Sequence, residues 1–133
     1  MKSLNFPPLS NREEKIASAI VASAFSVHSA LGPGLLENIY EVCFCHELVK
    51  REIPHRRQVV VPILYDSIEF DEGLRLDVFV DNLVICELKA VEMILPVHQA
   101  QLLSYLKLTH KRLGFLINFN VPVIKNGIQR MII

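Results

Sequence analysis

The stretch LVICELKA, residues 83–90, runs from four apolar residues into Glu87 and Lys89. Charge at the end of an apolar strand is costly unless it is paired or bound to something. Strand side chains alternate between faces, so Ile85, Glu87 and Lys89 share one face and Val84, Cys86 and Leu88 the other. The preceding segment, LRLDVFV, sets Arg75, Asp77 and Phe79 on one face and Leu76, Val78 and Val80 on the opposite one. A two-residue hairpin at Asp81-Asn82 pairs Val80 with Leu83 and puts Asp77 across from about Cys86, next to Glu87 along the strand. Asp77, Glu87 and Lys89 then converge. Two carboxylates suit a hard divalent cation such as Mg²⁺, or Mn²⁺, which takes oxygen ligands at about 2.0–2.1 Å and keeps several waters. The backbone carbonyl of Leu88 offers a further ligand. A lysine beside a metal-bound water can orient it or stabilise its charge. The plain alternative is a solvated strand edge with an ordinary Glu/Lys pair.

Two helical segments carry further polar groups. GLLENIY places Glu37 and Tyr40 three residues apart, hence on one side of a helix. The plain alternative is a surface Glu beside a core Tyr. HQAQLLSYLK sets His98, Gln101 and Tyr105 along one stripe, while Leu102, Leu103 and Leu106 form the packing side. The Glu87 strand leads directly into this helix through AVEMILP, so the stripe can lean over the carboxylates.

The elements that must position these groups are legible in order. FPPLS closes a short N-terminal arm over residues 1–9. Ser10 followed by Glu13 is a capping box, and Ile16, Ile20, Ala24 and Val27 mark the packing stripe of a helix to about Ala30. Gly32, Pro33 and Gly34 break it. A second helix runs from about Leu35 to Arg51, with Leu36, Ile39, Tyr40, Cys43 and Leu48 as its apolar face, and Pro54 stops it. Strands follow over Arg57–Tyr65, Leu74–Val80 and Leu83–Lys89, with turn signals at Asp66-Ser67 and Asp81-Asn82. A third helix spans about Val97 to Thr109, with Pro96 near its first turn. The strands LGFLINF and GIQRMII close the chain. The order αα-βββ-α-ββ predicts an α/β fold, a mixed central sheet flanked by helices.

Composition narrows the field. The 133 residues are enough for one domain with one core, 1–133. Hydrophobic residues make up 51% and charged residues 21%, which excludes a disordered chain. Lys+Arg and Asp+Glu are 14 each, so no overall basic field draws in nucleic acid, although local patches remain. Two such patches are His55-Arg56-Arg57 and Lys107 with His110, Lys111 and Arg112. Cys43, Cys45 and Cys86 lack zinc-site spacing and read as reduced thiols. No stretch has signal-peptide form or bilayer length, so the expectation is a cytoplasmic protein with no membrane partner.

The segments GPGLLENIY, LDVFVDNLVICELKA and HQAQLLSYLK…LGFLINF resemble the GxxExxY proteins, a branch of the PD-(D/E)XK nuclease superfamily. The resemblance covers about residues 12–132. Gly34, Glu37 and Tyr40 match the signature of the branch. Asp77, Glu87 and Lys89 match the superfamily's metal and catalytic residues, and Gln101 and Tyr105 match its QxxxY motif. The resemblance implies a restriction-endonuclease-like core and Mg²⁺-dependent phosphodiester cleavage, with Glu37 as an upstream acid near the metal. It also implies a nucleic-acid partner, DNA or RNA, and a nuclease of 15.1 kDa often needs a second copy, as a homodimer, or another partner to cover its substrate. The competing expectations are a non-catalytic module that binds nucleic acid or protein, which neutral charge favours, and a purely structural metal site.

Overall fold

The computed structural model describes residues 6–133; residues 1–5 of the expected arm lie outside the described residues. Helix α1, Asn11–Leu31, opens on the expected capping box. Ser10 Oγ accepts from the Glu13 N–H at 3.0 Å, and Glu13 Oε1 accepts from the Ser10 N–H at 2.8 Å. Its stripe of Ile16, Ile20, Ala24 and Val27 is buried.

Helix α2, Glu37–Lys50, starts two residues later than expected. The Tyr40 hydroxyl sets that start: it donates to the Gly32 carbonyl at 2.6 Å and accepts from the Leu35 N–H at 3.1 Å. The Tyr40 ring stacks on Phe119, centroids 4.7 Å apart. With Tyr40 anchored inward, Phe44 and Leu48 follow it at i+4 and i+8 into the core. Leu36 falls before the helix and Ile39 lies one step round from that stripe. Both are exposed rather than part of the apolar face.

Strands β1 (His55–Tyr65), β2 (Ile68–Val80) and β3 (Val84–Lys89) are followed by α3 (Pro96–Thr109) and β4 (Leu113–Asn118). A 3₁₀ turn over Ile124–Gly127, unforeseen from the sequence, precedes β5 (Ile128–Ile132). The five strands lie in the order β1-β2-β3-β4-β5. All neighbours are antiparallel except β3 and β4, which are parallel and joined through α3. The sheet is therefore mixed and flanked by helices, in the order αα-βββ-α-ββ. Val78, Val80, Val84, Cys86, Leu88, Phe115 and Ile117 pack with α1 and α2. Phe79, Ile85 and Leu116 pack with α3 on the opposite face. No helix among the described residues is long and apolar enough to cross a membrane.

Two departures from simple strand logic decide the geometry that matters. First, the β2–β3 turn is one residue longer than expected. Leu83 donates to the Val80 carbonyl and is used up in the turn, so Val80 pairs with Val84. The same register sets Asp77 against Glu87 rather than Cys86. Second, alternation along β2 breaks at Asp77. Leu76 packs on the α3 side with Val59 and Val61, while Val78 and Val80 pack on the α1/α2 side. Gln58 falls between the Arg57–Val78 and Val59–Leu76 pairs, level with Asp77, and its backbone is left-handed, φ 51°. The Gln58 side chain and that of Arg57 both reach Glu41 of α2, at 2.8 and 2.9 Å, which holds the kink.

Candidate active site

The backbone ladder between β2 and β3 runs through Val80–Val84, Phe79–Ile85 and Val78–Cys86. At the next rung, side chains take over from backbone. The Asp77 N–H donates to Glu87 Oε1 at 3.2 Å, and the Leu88 N–H donates to Asp77 Oδ2 at 2.9 Å. Buried backbone donors need partners, and here two carboxylates supply them reciprocally. This exchange locks Asp77 and Glu87 side by side where the β2–β3 ladder stops.

Glu87 is only 4% exposed. Burial pushes its carboxyl up to about 9, and the neighbouring charge of Asp77 adds to this. Lys89 acts in the opposite direction. A carboxyl-to-carboxylate hydrogen bond with Asp77 also favours the protonated form. Ionising Glu87 beside Asp77 is therefore unfavourable.

Glu37, the first residue of α2, stands at the exit of β3. Burial raises its carboxyl, with Lys89 and the Ala90 N–H opposing and Asp77 adding to the rise. Glu37 thus feels the charges of the pair from a partly shielded position, without joining them in one cluster. Among the described residues, no three His, Cys, Asp or Glu side chains form a group ready to hold a metal. Of the expected set, Asp77 and Glu87 lie side by side, while Glu37 stays outside that pair. The reason is that Glu37 comes from a separate helix whose start is fixed by Tyr40, not by the strands.

From α3, Gln101 Nε2 donates to the Tyr105 hydroxyl at 2.8 Å. Burial raises the Tyr105 hydroxyl above its ordinary range, and the Glu87 and Asp77 charges push the same way. Gln101 and Tyr105 therefore share a side, with Tyr105 facing the acids. His98 does something else: its Nδ1 accepts from the Leu95 N–H at 3.0 Å and closes the start of α3.

Two positioning residues escaped the sequence reading. Asn118 is buried and lies beside Lys89 in the parallel register. Its amide accepts from the Val91 N–H at 3.1 Å and donates to the Val91 carbonyl at 2.9 Å. It thereby extends the pairing past the end of β3 and fixes the chain that carries Glu87 and Lys89. Glu41, also buried, holds the kink at the Asp77 level from α2. An Asn inside the apolar run LGFLINF was the available signal for the first. For the second there was none, because a Glu in a helix reads as surface.

The fold is a mixed five-stranded sheet flanked by helices, with a pair of acids where β2 and β3 part. A family model described as the PD-(D/E)XK nuclease superfamily matches residues 14–131, and the chain belongs to that superfamily. PD-(D/E)XK nucleases generally use divalent metal ions, and membership implies a nucleic-acid substrate. Neither the curated proteins nor the solved structures gave a match.

Proposed function

We propose that this chain is a metal-dependent phosphodiesterase that hydrolyses nucleic acid, built as one domain. The observation that supports this most is the Asp77–Glu87 rung with Lys89 beside it. Holding two acids together in a buried place is unfavourable, and a cation bound between them removes that penalty. The donors present are all oxygens, and one or two carboxylates completed by water suit Mg²⁺, with Mn²⁺ as its substitute. Asp77, Glu87 and the Leu88 carbonyl are the proposed ligands, with Glu37 acting through water. When bound, the ion would neutralise phosphate charge and lower the pKa of a water. Lys89 holds the attacking water and balances developing negative charge. Tyr105 and Gln101 hold a substrate phosphate or Lys89 itself. Within the superfamily, Gly34, Glu37 and Tyr40 support placing the chain in the GxxExxY branch. The three free cysteines fit a reducing, cytoplasmic setting, and a homodimer would let a 15.1 kDa chain cover its substrate.

The test is thermal melting with and without millimolar Mg²⁺ or Mn²⁺, followed by cleavage assays on DNA and RNA, single- and double-stranded. Wild type should gain stability with metal, because a ligand that binds only the folded state stabilises it. Asp77→Ala and Glu87→Ala should lose that gain. Lys89→Ala should keep it and lose cleavage. A wild type with no metal-induced shift and no cleavage of any substrate would leave the second reading, a nucleic-acid-binding module. That reading draws on the neutral charge balance and on Glu37 standing apart from the pair.

A further inference from the structure

The two basic clusters of the sequence, one at the start of β1 and one after α3, meet on a single aromatic ring. Arg56 is the second residue of β1 and pairs across the ladder with Phe79. Its guanidinium carbon lies 5.4 Å from the Phe79 ring centroid. Lys111, which precedes β4, brings its Nζ to 5.9 Å from the same centroid. Each cation gains from the ring face, yet the two like charges repel across it at low salt. Among the described residues, neither Arg56 nor Lys111 takes part in a salt bridge. Arg56 donates only to the neutral Asn82 Oδ1, at 2.7 Å.

A pocket of about 200 Å³ opens beside Arg56, lined also by Pro54, His55, Phe79, Asp81 and Asn82. Its one carboxylate, Asp81, is already neutralised by Arg12 at 2.7 Å. The local balance is therefore positive in a chain whose net charge is zero. Along the backbone, Phe79 is two residues from Asp77, roughly 7 Å at the rise of a strand, on the side away from Lys89. Successive charges on one strand of duplex DNA are about 3.4 Å apart along the axis. A strand whose reacting phosphate sits at Asp77–Glu87 would thus present a phosphate one or two steps away to Arg56 and Lys111.

We infer that Arg56 and Lys111, held on Phe79, form a clamp for a backbone phosphate of the nucleic-acid substrate next to the cleavage point. The inference rests on the nucleic-acid reading above, and it assigns the flanking contact that the acid pair lacks. A contact to a backbone phosphate carries no sequence information, so the clamp grips any sequence.

The probe is a labelled oligonucleotide, single-stranded or duplex, titrated in EDTA so that nothing is cut. The variant is Arg56→Gln with Lys111→Gln, whose stems still cover Phe79; circular dichroism confirms its fold. Lys50→Gln with Lys125→Gln removes the same charge elsewhere. The clamp variant should bind on the order of tenfold more weakly at ~50 mM salt. Its dependence of log affinity on log salt should be shallower by about 1.4 to 1.8, two phosphate contacts' worth. The control should move less than twofold. Equal losses in both variants, or no binding by wild type, would overturn the clamp. Hydrolysis of bis(p-nitrophenyl) phosphate with Mn²⁺, a diester too small to reach the clamp, reports on the acid pair alone. If that hydrolysis is absent while the clamp variant alone loses binding, the clamp stands and the hydrolytic reading falls. If the small diester is cut at the same rate by both variants and oligonucleotide binding is unchanged, the clamp falls and hydrolysis stands.

Discussion

The acid pair makes stability depend on pH in an unusual direction. Most carboxylates stabilise a fold when ionised; Glu87 should do the reverse. Its folded pKa is raised from 4.5 to about 9. Between those values the folded chain holds a proton that the unfolded chain has released. The stabilising contribution is therefore complete below the unfolded value and is lost progressively as pH rises towards the folded one. One proton corresponds to about 1.4 kcal/mol per pH unit. From pH 5.5 to 7.5, metal-free protein should lose ~2.7 kcal/mol, or roughly 8–13 °C in Tm for a domain of this size. Glu87→Gln keeps the shape and the acceptor oxygen for the Asp77 N–H but cannot ionise. Its profile should be nearly flat over this window, and at pH 7.5 it should melt above wild type. The assay is denaturant or thermal unfolding in EDTA at half-unit steps of pH. A flat wild-type profile, or a slope that survives in Glu87→Gln, would refute the account of a buried protonated acid. Adding Mg²⁺ should restore wild type at pH 7.5 and leave Glu87→Gln almost unmoved, because the cation needs the ionised pair.

Tyr40→Phe should cost about 1–3 kcal/mol, since it leaves the buried end of the turn before α2 without its hydroxyl partner; urea unfolding measures it. If Glu37 depends on that turn, the same variant should also show a smaller metal-induced Tm shift. A β-carbon on Gly127 would lie 2.2 Å from the Asn118 carbonyl oxygen, so Gly127→Ala should destabilise by ~1–3 kcal/mol, and cleavage should fall because Asn118 supports β3. Tyr105→Phe should leave stability within about 1 kcal/mol, because the hydroxyl's one partner, Gln101, is exposed; under the proposed function its cleavage rate should drop, as read in a single-turnover assay.

The linear pattern of residues determined much of the architecture by itself. The Ser10–Glu13 box, the Gly32-Pro33-Gly34 break, the Asp66-Ser67 hairpin and the alternation in β3 are local signals, each read within a few residues. Their order implied a mixed sheet with helices on its faces, and ELK at the end of the apolar strand pointed to the acids. What it could not determine was the rung on which the acids meet. A two-residue turn and a three-residue turn at Asp81 differ by little in local energy, yet they move Asp77 from Cys86 to Glu87. The choice falls to the longer turn, in which the Asp81 N–H reaches the Pro54 carbonyl at 2.7 Å, a partner from another element. Likewise, no periodicity announces the face change at Asp77, because it is imposed by Glu41 of α2 gripping Arg57 and Gln58 from outside the sheet. The stand-off of Glu37 and the meeting of Arg56 with Lys111 on Phe79 have the same origin. They join segments far apart in the chain, and only packing decides the distance between them.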